Sequence, residues 1–244
     1  METRRDFIKK IVILSAATGQ PLSFIVNGWA ASKEDLKMGY YLFVPGGKRK
    51  KDDWDDVRAV LESHGQRTDA MTLSDPEHAT LSDHISEVCR MIDAAKVRDI
   101  YLVGHSYASF VITGVANTIP EKIARLIFID SSIPENGNSL FDIFYLAGMD
   151  PGKFGVPEWP PFTERLFFDQ AIIKKIPKTY VHCIHSQFLE MTRNISRNFS
   201  KQADGRNWIY TKTGDSNWSY FELDSDHYCM LKNPRELAEM ISQP

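Results

Sequence analysis

The feature that most constrains this chain is an alternation between short apolar runs and longer stretches with helical spacing. Tyr40-Tyr41-Leu42-Phe43-Val44 is stopped by Pro45-Gly46-Gly47, and Ile100–Val103 and Leu126–Ile129 are two further runs of the same kind. Short runs without polar alternation fit strands buried on both faces, which is the environment of a parallel sheet. Thr179–Ile184 and Ser219–Leu223 complete the expected strands. Between the first two runs, Trp54, Val57, Leu61 and His64 recur at helical spacing. Asp52, Asp53, Asp55 and Asp56 stand at the start of that helix, where carboxylates complement its dipole. Thr80-Leu81-Ser82-Asp83 has capping-box spacing ahead of one apolar stripe, Leu81, Ile85, Val88, Ile92 and Ala95. Tyr107 to about Asn117 reads as a helix, and Asn233-Pro234-Arg235-Glu236 opens the last one, with Asn233 as cap. Strands and helices in this order close as parallel strands joined by right-handed crossovers. The expected fold class is α/β: a mostly parallel, doubly wound sheet with helices on both faces.

One stretch breaks the alternation. Residues 134–178 lie between two expected strands and hold Phe141, Phe144, Tyr145, Phe154, Trp159, Phe162, Phe167 and Phe168. An insertion this long in a compact domain is usually functional, and a small cap over a pocket is the expected form. Its aromatics would both pack the insertion onto the sheet and shape the pocket.

Length and charge narrow the function classes. A chain of 244 residues can bury a core without staples, and 43% hydrophobic residues exclude a disordered chain. A net charge of −3 leaves no global basic footprint, so no nucleic-acid partner is expected. Lys48-Arg49-Lys50-Lys51 is followed at once by acidic residues and reads as a solvated loop. Asp224 and Asp226 flank His227's approach without the further ligands of a calcium loop, so no metal and no cofactor are expected.

The N-terminus has a separate logic. Thr3-Arg4-Arg5-Asp6-Phe7-Ile8-Lys9 precedes an apolar stretch ending near Ala30 and Ala31, and it resembles a bacterial twin-arginine export signal over residues 1–31. Gln20, Pro21 and Asn27 interrupt the run, against a spanning helix and a stable membrane insertion. The mature domain would occupy 32–244, in the periplasm or outside the cell, with a cytoplasmic location as the alternative. Three cysteines do not make a disulfide framework, though an oxidising compartment would permit a Cys183–Cys229 bridge. The oligomeric state is not written in the sequence.

Gly104-His105-Ser106-Tyr107-Ala108 directly follows a strand and directly precedes a helix. That context defines a nucleophile elbow, a sharp turn that projects a serine hydroxyl above the sheet. At these residues the chain resembles the α/β-hydrolase superfamily, and within it the small esterases related to plant methylesterases and hydroxynitrile lyases. The likeness covers most of residues 40–241. It rests on Phe43-Val44-Pro45-Gly46-Gly47, Gly104-His105-Ser106, Leu126-Ile127-Phe128-Ile129-Asp130 with Pro134-Glu135, and Asp226-His227-Tyr228. Family members usually carry His-Gly where this chain has Pro45-Gly46. The resemblance implies an oxyanion hole made by the backbone N–H groups of Gly47 and Tyr107.

The base must be a histidine, because its pKa lies near working pH and its two nitrogens join serine to acid. Of seven histidines, His227 alone follows the last strand and precedes the last helix. The acid has two candidates. The loop after Thr179–Ile184, where the superfamily usually places it, contains only Glu190, whereas Asp130 ends the preceding strand, a position some lipases and dehalogenases use. Asp130 is the favoured acid, Glu190 the less favoured one, and a Ser–His dyad the third reading. The expected activity is hydrolysis of small-molecule carboxylic esters with an apolar or aryl group through an acyl-enzyme at Ser106. A hydroxynitrile-lyase-like reaction that recruits a cap lysine (Lys153, Lys174 or Lys175), or a non-catalytic binding protein on the same scaffold, are the alternatives.

Overall fold

A computed structural model of the chain describes residues 39–203, 205 and 207–243. The export-signal reading of residues 1–31 lies outside the described residues. The strands are β1 (Tyr40–Val44), β2 (Arg67–Ala70), β3 (Ile100–His105), β4 (Ile123–Ile129), β5 (Lys178–Cys183), β6 (Phe199–Lys201), β7 (Trp208–Tyr210) and β8 (Asp215–Leu223). They form one sheet in the order β2-β1-β3-β4-β5-β8-β7-β6. Pairing from β2 through β8 is parallel, and β7 and β6 continue the sheet antiparallel. The chain leaves β1 toward β2 and then crosses back to β3, so β1 and β3 flank a topological switch point. In open α/β sheets the crevice outside the carboxyl ends of such strands is the binding position.

The larger helices are α1 (Asp55–Ser63), α2 (Leu81–Ala95) and α3 (Ala108–Thr118). After β4 come the short α4 (Leu140–Leu146), α5 (Pro160–Thr163) and α6 (Gln170–Lys175); α7 (Leu189–Ser196), α8 (Cys229–Lys232) and α9 (Pro234–Ile241) follow later. Period-two alternation sorts the strand residues into two cores. Leu42, Val44, Leu102, Leu126 and Phe128 pack against α2 and α3, through residues such as Val88, Ile92, Phe110 and Val115. Tyr41, Phe43, Val103, Ile127 and Ile129 point the other way, onto Val57 and Leu61 of α1 and Leu237 and Ile241 of α9. The sheet is therefore covered on both faces, and its central strands need to be apolar throughout. The Thr80 capping box forms as expected: Asp83 N–H donates to Thr80 Oγ1 at 3.1 Å and Thr80 N–H to Asp83 Oδ2 at 2.9 Å.

Four local features differ from what the sequence pattern shows. Arg67-Thr68-Asp69-Ala70 forms an edge strand although its sequence is largely polar, because only one side pairs and the rest meets solvent. The last parallel strand begins at Asp215, and the β6–β7 meander precedes it; such three-residue strands carry no readable period. β5 runs Lys178–Cys183, one residue short of the expected end at Ile184, and His185 stands in the turn that follows, against Asp224 at 2.9 Å. Asn233 stands at the N-cap of α9 but makes no capping bond with its side chain; Pro234 and the first-turn Glu236 supply the helix-start signal.

Residues 134–178 carry α4, α5, α6 and a 3-10 turn at Pro151–Phe154. Ser139 caps α4 in a second capping box, with Asp142 N–H on Ser139 Oγ at 3.1 Å. Glu164, just past α5, accepts the Ser82 N–H at 3.2 Å and so ties this segment to the start of α2. Phe144 and Phe162 are buried, whereas Tyr145 and Phe167 face solvent. Cys183 and Cys229 are both buried free thiols; interaction with Cys229, and then burial, push the Cys183 thiol up. The bridge permitted by the sequence is not formed. No helix among the described residues is long and apolar enough to cross a membrane.

Candidate active site

Strand register gathers the site at one edge of the sheet. Val44 lies beside Gly104, His105 beside Ile129, and Cys183 beside Leu223. The loops after β1, β3, β4, β5 and β8 therefore emerge together. Ser106 occupies the turn between β3 and α3 with φ +55°, a left-handed conformation that costs a residue with a Cβ about 1–2 kcal/mol. Its N–H donates to the Ile129 carbonyl at 3.2 Å, which holds the strained turn against β4. Gly104 permits the turn: a Cβ there would lie 2.9 Å from both the Ala108 carbonyl oxygen and Ile112 Cδ1.

His227, in the loop between β8 and α8, has Nδ1 2.6 Å from Asp130 Oδ2. The carboxylate can only accept, so Nδ1 carries a proton, and in the neutral ring Nε2 keeps its lone pair. Asp130 is fully buried at the end of β4, with φ +38°. Its Oδ2 also accepts the Ser186 hydroxyl at 2.5 Å, and its Oδ1 accepts the Cys183 N–H at 3.3 Å. Glu190 is not brought to this cluster. It sits in the first turn of α7 with its side chain 69% exposed, 3.6 Å from Arg193. Asp226 is engaged by Lys232 and by the Tyr228 N–H.

Ser106, His227, Gly46, Gly47 and Tyr107 line one cavity of about 160 Å³. Phe144, Phe154, Trp159 and Phe162 from the 134–178 segment cover it, with Phe188 and Met191 beside them. The amides of Gly47 and Tyr107 donate to no other group among the described residues. A Cβ on Gly47 would lie 2.8 Å from Phe162 Cζ, so the ring packs directly on the glycine backbone. Phe188 sets its ring across His227, with centroids 4.6 Å apart at 71°. Lys48 and Arg49, expected in a solvated loop, also reach this lining, because the turn after β1 folds over the carboxyl edge of the sheet.

Three residues of the site were not legible as such. Ser186 holds Asp130 from the loop where the superfamily usually places its acid, and nothing local marks a serine for that task. His105 donates Nε2–H to the His227 carbonyl at 2.8 Å; burial, and then its neighbour His227, hold its pKa well below the usual histidine range. His84, on α2, has Nε2 3.1 Å from the Ser74 carbonyl and Nδ1 3.0 Å from the Tyr107 hydroxyl. Nε2 must therefore be the donor, and the Tyr107 O–H donates to Nδ1. Burial lowers the His84 pKa and raises that of the Tyr107 phenol. The only sequence signal for His84 is a histidine on the inward stripe of α2.

The doubly covered parallel sheet, with a strained serine turn at its switch point, is the architecture of the α/β hydrolases. The chain belongs to the alpha/beta hydrolase family, whose model matches residues 41–240. Among relatives, it is 48% identical over 64 residues to a carbendazim hydrolyzing esterase of Nocardioides sp. (strain SG-4G), covering 26% of each chain. It is 25% identical over 136 residues to putative methylesterase 11, chloroplastic, of Arabidopsis thaliana, covering 52% of this chain and 34% of that one. The alignments thus span about a quarter and about a third of those two relatives. Among solved structures, polyneuridine aldehyde esterase superposes with a TM-score of 0.62 at 16% identity, over 84% of this chain and 98% of that one. An extracellular α/β-hydrolase from a Paenibacillus species gives 0.61 at 17% identity, over 83% and 97%. At those identities the likeness is one of fold.

Proposed function

We propose that this chain is a serine-dependent carboxylic ester hydrolase that works through an acyl-enzyme. The observation that carries the reading is the 2.6 Å bond between Asp130 and His227 beside the cavity that Ser106 lines. Ser106 Oγ attacks the ester carbonyl while His227 Nε2 takes its proton, and Asp130 stabilises the imidazolium that results. The tetrahedral oxyanion is received by the N–H groups of Gly47 and Tyr107, where one donor is worth about 3–4 kcal/mol. His227 then returns the proton to the leaving alcohol, and water repeats the sequence on the acyl-enzyme. An apolar or aryl group on the substrate matches the Phe144, Phe154, Trp159 and Phe162 lining.

The esterase names of the sequence relatives support the same chemistry. The lyase alternative draws on a cap lysine, and none of Lys153, Lys174 and Lys175 lines the cavity. A fluorophosphonate probe tests the proposal: wild-type protein should be labelled at Ser106 and cleave p-nitrophenyl acetate, and folded Ser106→Ala should do neither. Labelling or turnover that survives in Ser106→Ala would remove the serine mechanism.

The Arg4-Arg5 motif supports export by the twin-arginine route, with a periplasmic or secreted location. Replacing both arginines by lysine should leave the precursor in the cytoplasm. Equal periplasmic activity of the two forms would refute that route.

A further inference from the structure

Lys48 lines the cavity, and ester hydrolysis assigns it no task. It follows Gly47, and its backbone has φ +60°. Arg49 N–H donates to the Gly46 carbonyl at 3.1 Å, so residues 46–49 form a β-turn with Lys48 in third position. A positive φ at that position normally selects glycine or asparagine. A lysine kept there, at the rim of a cavity, is a strained residue whose side chain calls for an explanation.

The side chain has a defined place. Its ammonium lies over the ring of Trp159, 3.8 Å from the centroid, so the cation is held at the cavity mouth by an aromatic residue of the 134–178 segment. The surrounding charges do not neutralise it. Arg49, the other cation of the lining, is occupied by Asp53 in a two-point contact at 2.7 and 2.9 Å. No aspartate or glutamate side chain lines the cavity, and Lys48 has no carboxylate partner among the described residues. The cavity therefore combines apolar walls, a candidate nucleophile within and one uncompensated cation at its mouth.

We infer that Lys48 makes this site select esters that carry a carboxylate remote from the scissile bond. The carboxylate would pair with the ammonium at the mouth while the apolar body of the substrate lies along the aromatic wall and the ester carbonyl reaches Ser106. The inference rests on the ester-hydrolase reading for the reaction, but the recognition itself is a binding property. Trp159 then has two roles, holding the lysine in place and covering the substrate.

The test compares full-length wild-type protein with Lys48→Gln, Lys48→Glu and Lys48→Gly on two matched substrate pairs. In the first, 4-acetoxybenzoate against 4-acetoxybenzamide, the charge is on the leaving group. In the second, monophenyl terephthalate against phenyl 4-carbamoylbenzoate, it is on the acyl group. The readout is the ratio of kcat/KM for the charged member to that for the neutral member. In at least one pair, wild type should exceed Lys48→Gln by about fivefold, the upper range of a solvent-accessible ion pair. Lys48→Glu should fall lower still, and the differences should shrink between about 20 mM and about 0.5 M salt. Lys48→Gly relieves the left-handed strain while removing the charge, so agreement with Lys48→Gln assigns the effect to charge. Equal ratios in wild type, Gln and Glu variants, in both pairs, would overturn the inference. If no ester is cleaved by any of the proteins, the hydrolase reading fails, and calorimetric binding of 4-carbamoylbenzoate against terephthalamide decides the Lys48 claim. A carboxylate preference lost in Lys48→Glu upholds it, and equal binding by wild type and variant overturns it.

Discussion

Asp130→Asn is the substitution that tells an orienting carboxylate from a structural one. The backbone tolerates it, because φ at Asp130 is +38° and asparagine is one of the few residues at ease with positive φ. The side chain is the problem. Asp130 Oδ2 accepts from His227 Nδ1 and from Ser186 Oγ, and Oδ1 accepts from the Cys183 N–H. If the asparagine oxygen replaces Oδ2, its NH₂ faces the Cys183 N–H, donor against donor, in a fully buried place, at a cost of about 1–3 kcal/mol. If the amide turns over, its NH₂ faces His227 and makes Nδ1 an acceptor. The imidazole proton then moves to Nε2, and the lone pair that the proposed mechanism uses on Ser106 is lost. In neither orientation does a negative charge offset the imidazolium.

A serine hydrolase with the wrong tautomer loses about 10⁴ in turnover, equivalent to about 5.4 kcal/mol of transition-state stabilisation. The assay is kcat/KM on an aryl acetate together with the second-order rate of fluorophosphonate labelling, on protein whose circular dichroism matches wild type and whose melting shows it folded at the assay temperature. Glu190→Gln serves as the paired control. Its side chain is exposed and pairs with Arg193, so it should keep activity within about tenfold. Folded Asp130→Asn that retains more than about a tenth of wild-type activity would refute the assignment. A dead Glu190→Gln beside it would transfer the role to Glu190.

Two further outcomes follow from the packing. Gly47→Ala should lower kcat/KM by about 10- to 100-fold, part of the loss expected for one oxyanion donor, because the new Cβ would stand 2.8 Å from Phe162 Cζ and shift the loop. Adding Phe162→Ala should recover part of the loss, and Gly47→Ala with full activity would exclude this amide from the oxyanion site. Burial depresses the pKa of His84, His105 and His182, so near neutral pH these rings are uncharged whether the chain is folded or not. As pH falls below about 6.5 the unfolded chain takes up protons that the folded one refuses, so stability present above that pH is progressively lost. One such proton is worth about 1.4 kcal/mol per pH unit, and each kcal/mol shifts Tm by about 2–4 °C in a domain of this size. Calorimetry should show Tm declining between about pH 6.5 and pH 5, before ordinary carboxylates titrate. A flat Tm there would contradict the neutral, buried assignment of these rings.

Much of the architecture was legible because it is local. The apolar runs that became β1, β3 and β4 are buried on both faces and have no polar face to disguise them. The elbow was readable because Gly104, Ser106 and Ala108 each answer a steric need within five residues. The stripe of α2 and its Thr80 cap lie within one helix. β2, β6 and β7 escaped because strands of three or four residues, at or next to the sheet edges, owe their pairing to neighbours instead of their own pattern.

The site divides along the same line. Ser106 and His227 were named as candidates from chain order and local context. The arrangement around Asp130 was decided only in three dimensions, where β4 and β5 lie side by side and bring Ser186 and Cys183, 56 and 53 residues away, onto one carboxylate. No periodicity encodes that meeting, because it depends on strand register and on which loop a buried acid faces. The same holds for His84 beneath Tyr107 and for Phe162 against Gly47, contacts between segments that the chain keeps far apart. Local sequence could specify strands, helices and a strained turn, since each is set by nearest neighbours along the chain. Which acid meets the histidine, and which lysine stands at the mouth, followed only when the sheet had stacked those loops at one edge.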